Sequence, residues 1–356
     1  MIRVAIDARR LQDRPLHGVG RGLANLIPHL TPQVDVTLLF DRSRPSYGAV
    51  QCAAAELAGY GRVPEPAWLQ VSVPMWLRRH PMVFHGPYNA VPYAAPDPCV
   101  ATIHDLAWEH HPEDYSSRGR REIVRAQARW AVRRSRVIVT VSEFIRRSII
   151  DTYDVEAERV VVAPNSIDPA FSPTQAASSR EVLARFGVTG PYVVALGGAR
   201  RRGLGEAVEA WRRASSGLTQ APWLVVVGGE APPSLPNVAH IGRVDDATWT
   251  TVLAGAVAFC YATRYEGFGM PALEAAASGV PVVCASIGPL PEVLGDAAEW
   301  CASPYAADLA EGLRRILTDE SRRESLRAAG LARAATSPTW EDSAATLVAA
   351  YKTAAA

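Results

Sequence analysis

Two carboxylates, Glu266 and Glu274, stand at either end of a glycine-rich corner, EGFGMPALE. An ionised carboxylate only accepts hydrogen bonds and can take two at once, which suits the vicinal hydroxyls of a ribose or a hexose. Between them, Gly267 and Gly269 let the backbone approach a ligand closely, with Phe268 and Met270 completing the turn. Pro271 stands where a helix would begin, since its missing N–H costs nothing there. The free N–H groups of such a helix start favour anionic or hydroxyl-rich partners. Glu266 precedes the helix and Glu274 is expected in its first turn, so both can face the end of a sheet where open α/β folds bind ligands. Acidic residues at a helix start are also favourable in themselves, so Glu274 alone reads either way. The corner as a whole points to a ligand.

Such a corner needs strands to hold it. Residues 256–261 form a short apolar run of the kind that makes a buried parallel strand, and 281–284 form another. Leu273, Ala276 and Ala277 give the helix a small apolar face, and Gly279 is placed to end it. Earlier in the chain, 192–196 reads as a strand that runs into Gly197, Gly198, Ala199 and the cations Arg200, Arg201 and Arg202. Strand, glycines and cations opening a helix make a diphosphate cradle; the alternative is three arginines on a surface loop. A further strand with its turn is expected at 223–229, another strand at 240–244, and helices at 320–335 and 340–354.

The first half repeats the pattern. Residues 3–6 form a strand ending in Asp7, and a loop with His17, Gly18, Val19, Gly20, Arg21 and Gly22 leads into a Leu- and Ala-rich helix. The glycines are not spaced for a dinucleotide, and a tight turn explains them equally well. A second strand spans 36–40, a helix is expected over 49–59, and 62–80 shows little pattern. MVFHGPYN and CVATIHD are two strands that deliver His85, His104 and Asp105 at their ends. The cluster of His110, His111, Glu113 and Asp114 fits no metal spacing, because adjacent ligands do not converge on one ion. It reads as a polar loop. Helix 118–136 carries eight arginines against one acid, Glu122. A solvated outer helix is the commoner fate of that pattern, and peripheral contact with an anionic membrane is the other.

A chain of 356 residues has room for two ordinary domains. With 37 basic and 36 acidic residues, no global field favours nucleic acid. The five cysteines lack C-x-x-C spacing, and the chain opens directly on a strand; both lead to the expectation of a reduced, cytoplasmic protein.

Glu266 and Glu274 around GFGMPAL, with SGVPVV after them, resemble the E-x7-E motif of the family-four retaining glycosyltransferases. In that family the first Glu contacts the donor sugar and the second holds the nucleotide ribose. The resemblance extends to HDLAWEHHPEDY, which is similar to the HDL segment of mannosyl- and deoxyhexosyl-transferases, and to VSEFIRRSIIDTYDVEAERVVVAPNSID. It implies the GT-B fold: two Rossmann-like parallel-sheet α/β domains across a cleft, 1–168 on the acceptor side and 169–337 on the donor side. A last helix, 338–356, packs back on the first domain. It further implies Arg201 or Arg202 at the diphosphate, in a loop one residue shorter than usual and with Gly203 where Asn is usual. Arg243 and Val244 would border the base. His104 would lie near the reaction centre, and Gly18–Arg21, His85 and Asp105 on the acceptor side. His104, Glu266 and Arg202 are then the residues closest to catalysis.

The expected reaction moves a hexose or deoxyhexose from a nucleotide-diphosphate sugar, GDP-mannose first and dTDP-rhamnose second, with retention. The acceptor is a saccharide, lipid-linked or small-molecule hydroxyl. No cofactor and no metal are expected, since the sequence holds no D-x-D pair. Two rivals share the fold: a sugar-nucleotide isomerase or epimerase using His85, His104 and Glu266, and a non-catalytic partner protein that only binds the nucleotide sugar.

Overall fold

The computed structural model describes residues 1–13, 16, 18–41, 53–56, 67–94, 98–115 and 117–356, with the backbone alone described for 53–56. His17 and Cys52 lie outside the described residues. The chain divides into two compact units, Met1–Ser166 with Pro338–Ala356, and Ile167–Ser337.

The first unit is built on a parallel sheet whose central strands are short apolar runs buried on both faces, as parallel strands covered by helices must be. They are β1 (Arg3–Asp7), β2 (Asp35–Phe40), β3 (Ala53–Glu56), β4 (Val83–Gly86), β5 (Cys99–Ile103), β6 (Val137–Thr140) and β7 (Val160–Val162). Their order is β3-β2-β1-β4-β5-β6-β7. The helix expected over 49–59 is overturned in its described part, because Ala53–Glu56 pairs with β2 from Thr37↔Ala53 to Phe40↔Glu56. Alanine favours helix intrinsically, but the open edge of β2 supplies hydrogen-bond partners that override that preference.

One face of this sheet is covered by α1 (Val19–Leu30) and by the C-terminal helix Trp340–Ala355. Leu23, Ile27 and Leu30 of the former share a core with Leu347, Tyr351 and Ala354 of the latter and with Val4, Ile6 and Val139 of the strands. Thr339 and Asp342 start the C-terminal helix with a reciprocal capping box. The unpatterned stretch before His80 holds one π turn, Trp68–Ser72, running into α2 (Val73–Arg79). Trp68, Val73 and Leu77 there build a second core on the opposite face, with Phe84 and Ala101.

The arginine-rich helix is α3 (Arg118–Arg134), capped by Ser117. Several of its cations are committed internally, Arg121, Arg125 and Arg129 among them. Arg121 donates to the Trp108 carbonyl at 2.9 Å, while Arg125 and Arg129 lie 2.8 and 3.7 Å from Glu109. Next, α4 (Glu143–Tyr153) follows β6 with Ser142 as its cap.

The second unit repeats the design. Its strands are β8 (Tyr192–Leu196), β9 (Trp223–Val227), β10 (Val238–Gly242), β11 (Ala258–Tyr261), β12 (Val282–Ala285) and β13 (Ala298–Cys301). They are ordered β10-β9-β8-β11-β12-β13, with every pairing parallel. Its longer helices are α5 (Leu204–Ser215), α6 (Asp246–Ala254), α7 (Met270–Ala277), α8 (Ala306–Thr318) and α9 (Glu320–Thr336). Glu206 of α5 accepts the Ala306 N–H at 2.7 Å, so one helix caps the start of another. Glu299, buried in β13, is neutralised by Arg315 at 2.6 Å and Arg322 at 2.8 Å from two helices. Cys99, Cys260, Cys284 and Cys301 are buried free thiols.

In both sheets the strand order turns back on itself beside the first strand, between β1 and β4 and between β8 and β11. The loops leaving those strands flank the crevice where open parallel sheets take ligands.

Candidate functional site

The carboxylate corner leaves β11 at that crevice of the second unit. Glu266 is half-buried, and Tyr261 at the end of β11 donates its hydroxyl to Glu266 Oε1 at 2.5 Å. Burial, with the Glu266 charge beside it, raises the Tyr261 pKa well above its ordinary value, so the proton stays on the phenol. Gly269 caps α7 with a φ of 95°, and a Cβ there would come within 2.4 Å of Leu290 Cδ2. That position demands glycine. Pro271 stands in the first turn of α7 as the sequence suggests. Glu274 does not: α7 begins at Met270, so this residue lies one turn further in, 1 % exposed. Trp249 of α6 donates its indole N–H to Glu274 Oε2 at 2.8 Å. A carboxylate inside a buried helix acts through a fixed position, not through the helix terminus.

Across the crevice, Gly197, Gly198 and Ala199 leave β8 and lead into a short helical turn, Arg200–Arg202. A Cβ on Gly197 would lie 2.2 Å from the Gly228 carbonyl oxygen, so the turns leaving β8 and β9 are pressed backbone to backbone. The exit of β10 joins them: Gly228 N–H donates to the Gly242 carbonyl at 2.6 Å, and His240 Nε2 lies 3.2 Å from the Gly228 carbonyl. Arg243 is exposed and Val244 half-buried just beyond that exit. Arg200 is exposed, Arg201 and Arg202 are half-buried, and Arg202 Nη1 reaches the Gly197 carbonyl at 3.2 Å. Arg201 and Arg202 lie close enough to Tyr261 to stabilise negative charge there.

Arg264, which drew no attention as sequence, fastens the arginine turn to the carboxylate corner. Its backbone N–H donates to the Arg201 carbonyl at 2.7 Å and its guanidinium to the Arg200 carbonyl at 3.0 Å. The only hint was one more cation in the TRYEGFG run. The structure thus brings Arg201, Arg202, Gly203 and Glu266 into one laced group of strand-end loops, while Glu274 lies in α7, held by Trp249.

The residues of the first unit behave differently. Val19, Gly20 and Arg21 are the opening turn of α1 and not a loop, with Gly18 as its N-cap at a φ of 45°. Glycine at position 20 serves packing, since a Cβ there would sit 2.8 Å from the Arg10 carbonyl oxygen. His85 lines the same pocket as His104 but is held at both ring nitrogens. It is 1 % exposed, with Nε2 at 2.7 Å from Thr102 Oγ1 and Nδ1 at 2.7 Å from the Tyr351 hydroxyl. Both ring nitrogens hold the protein together, so this side chain ties the C-terminal helix to β4 and has no nitrogen left for an acceptor. Burial, with His104 nearby, pushes its pKa down to about 3.

His104 sits half-buried at the exit of β5, its Nε2 at 2.9 Å from the Pro87 carbonyl and its backbone N–H on Asn89 Oδ1 at 3.1 Å. Burial lowers its pKa, against the opposing pull of the Pro87 carbonyl and Asp105. Asp105 accepts the Ala107 N–H at 2.9 Å, which starts the one-turn helix Ala107–His110. Beside His104 lies a pocket of about 40 Å³ lined by Val19, Gly22, Thr102, Asn165, Trp340 and Leu347 among others. His110 turns to Ser148 and His111 to Glu113. Among the described residues, no group of three or more His, Cys, Asp or Glu side chains is placed to hold a metal ion.

Two family models divide the chain: Glycosyltransferase Family 4 over residues 16–171, and Glycosyl transferases group 1 over 189–333. The chain belongs to the group 1 glycosyltransferases. It is similar to the O-antigen chain mannosyltransferase B of Escherichia coli, 28% identical over 290 residues, which cover 76% of this chain and 74% of that protein. The MMP alpha-(1->4)-mannosyltransferase of Mycolicibacterium hassiacum is 29% identical over 290 residues, 73% of this chain and 66% of that one. The crystal structure of WaaG, a glycosyltransferase involved in lipopolysaccharide biosynthesis, superimposes with a TM-score of 0.73 at 18% identity, covering 95% of this chain and 96% of that one. The fold of this glycosyltransferase is therefore GT-B. No helix among its described residues is long and apolar enough to cross a membrane.

Proposed function

We propose that this glycosyltransferase moves a hexose or deoxyhexose from a nucleotide-diphosphate sugar to a hydroxyl, with retention at the anomeric carbon. The observation that carries the reading is the junction of the arginine turn with the carboxylate corner, fastened by the two hydrogen bonds of Arg264. Diphosphate oxygens would meet Arg201, Arg202 and the glycine N–H groups, and the base would lie by Arg243 and Val244. Glu274 would take the ribose hydroxyls; Glu266 and the backbone of 267–270 would take the sugar.

As the glycosidic bond breaks, negative charge grows on the departing diphosphate. Fixed cations and N–H dipoles around it stabilise that charge without reorganising, usually the largest catalytic contribution. A front-face reaction, in which the leaving phosphate accepts the proton of the incoming hydroxyl, balances charge without a separate base. Neutral His104, its Nε2–H held by Pro87, would accept a hydrogen bond from a substrate hydroxyl on the acceptor side. Mannosyltransferase relatives and the HDLAWEHHPEDY segment favour GDP-mannose, with dTDP-rhamnose next. The acceptor would be a saccharide or a lipid-linked or small-molecule hydroxyl. The lack of a D-x-D pair supports a reaction without a metal.

The test is a thermal-shift series with GDP, UDP, dTDP and ADP, with and without EDTA, since a ligand of the folded state raises its stability by mass action. The expected result is a rise with one nucleotide that EDTA leaves intact and Glu274→Ala reduces. No rise with any of the four overturns the donor assignment.

A further inference from the structure

Both motif carboxylates are gripped by aromatic donors, and the two donors belong to one stack of rings. Trp249 Nε1 gives its hydrogen to Glu274 at 2.8 Å, and the Tyr261 hydroxyl gives its own to Glu266 at 2.5 Å. Phe259 lies between them. Its ring centroid is 6.3 Å from that of Trp249, edge on, and 5.2 Å from that of Tyr261, stacked at 24°. Phe259 and Tyr261 are two residues apart on β11, so they share a face of the strand, and α6 brings Trp249 against that face. All three rings are buried. Rings packed in this way have no freedom to drift, and each polar hydrogen is aimed at one carboxylate.

We propose that Trp249, Phe259 and Tyr261 form an aromatic brace that sets the positions of Glu274 and Glu266 for donor recognition, with Trp249 and Tyr261 as positioning residues. The proposal rests on the reading that these two carboxylates hold the nucleotide sugar. Its physical sense lies in the kind of donor used. A lysine or arginine behind each carboxylate would fix it but cancel its charge. An indole N–H and a phenol O–H are neutral donors, so they fix it without adding a counter-charge of their own. The phenol proton is not lost at working pH, because burial and the neighbouring carboxylate hold the Tyr261 pKa far above neutrality. Phe259 has no polar atom; its part is to fix the spacing of the other two.

The brace predicts which half of the donor each ring serves. Trp249→Phe should weaken binding of the nucleoside diphosphate, assayed by calorimetry with GDP, UDP, dTDP and ADP, by about tenfold, the usual scale for a hydrogen bond to a charged group. Tyr261→Phe, which removes a single oxygen, should leave that affinity unchanged and weaken the intact donor, assayed with GDP-mannose and dTDP-rhamnose, by a similar factor. The deciding readout is a double-mutant cycle. If the rings act through the carboxylates, Trp249→Phe costs nothing further in a Glu274→Ala background, and Tyr261→Phe nothing further in Glu266→Ala. A purely structural loss would add in full in both backgrounds, and that result overturns the proposal. So does wild-type binding by both ring variants while the Glu→Ala variants lose theirs. Should Trp249→Phe not fold, Tyr261→Phe with its cycle decides alone. If Glu274→Ala and Glu266→Ala themselves bind as the wild type does, or the wild type binds none of the probes, the underlying donor reading fails instead.

Discussion

His104 is the side chain whose work depends most on where its proton sits. Its Nε2 faces the Pro87 carbonyl, which can only accept, so the hydrogen is on Nε2 and Nδ1 is the acceptor. Burial lowers its pKa and keeps that neutral tautomer at working pH. Asn89 fixes the turn on which this depends: it adopts a φ of 58° and takes the His104 N–H on its side chain. Asn89→Gly keeps the backbone conformation and removes only the side-chain bond. We expect turnover to fall about fivefold while nucleoside diphosphate affinity stays at the wild-type level, because one hydrogen bond of about 1 kcal/mol positions His104 and nothing on the donor side. A steady-state assay beside calorimetry checks it; an equal loss in both would show that Asn89 supports more than His104. His104 itself was legible, since a strand ending in HD announces its side chain at the ligand edge. Asn89 was not, because an asparagine two residues past Pro87 has no spacing that reveals a left-handed turn. Trp249 and Tyr261 were hidden for a related reason: aromatic residues in apolar runs read as core, and their hydrogen-bonding edges become visible only once neighbouring elements are packed.

At the scale of elements, the glycines carry the argument. Read as sequence, Gly197, Gly198, Gly18 and Gly20 suggest pliable loops around a ligand. In the structure several are places where two backbones touch, as at Gly197 against Gly228 and Gly20 against Arg10. Gly203 is the clearest case. It has a φ of 60°, and a Cβ there would lie 2.3 Å from the Ala262 carbonyl oxygen just past β11. It presses the arginine turn against the strand exit that leads into the carboxylate corner. Gly203→Ala must therefore push the two loops apart, in addition to about 1 kcal/mol of left-handed strain. The expected outcome is a weaker nucleoside diphosphate, by about tenfold or more, with a thermal midpoint lowered by a few degrees. An alanine variant that binds normally would mean that the two loops do not need their close approach. Most elements were legible from apolar runs and periodicity, including α7 with its proline start and the C-terminal helix. The strand Ala53–Glu56 was not, because its residues prefer helix and only the edge of β2 decides otherwise.

At the scale of the whole molecule, the chain closes its first unit with its last helix, and one polar cluster records that closure. His85 on β4 joins Thr102 on β5 to Tyr351 on the C-terminal helix, and His104 is close enough to act on its charge. That a final helix returns was expected from the family resemblance. That it is fastened through His85, and not through apolar contact alone, needed coordinates, because partners 266 residues apart share no pattern. The arrangement has a consequence for stability against pH. Native His85 stays neutral down to about pH 3, whereas in the unfolded chain it takes up a proton near its ordinary value of 6.5. Between those values the unfolded state binds more protons, so stability falls as pH falls through the window and is fully present above it. At pH 5 the loss from this one group is about 2 kcal/mol relative to pH 7.5. Urea unfolding at the two pH values, followed by tryptophan fluorescence, should show that loss in the wild type. In His85→Gln, which cannot take up the proton, the difference between the two pH values should shrink by the same amount, even though the variant is less stable at both. An unchanged difference would mean that His85 is not the group that charges on unfolding. A shrunken one would show that the junction of the C-terminal helix with the sheet sets the acid limit of the fold.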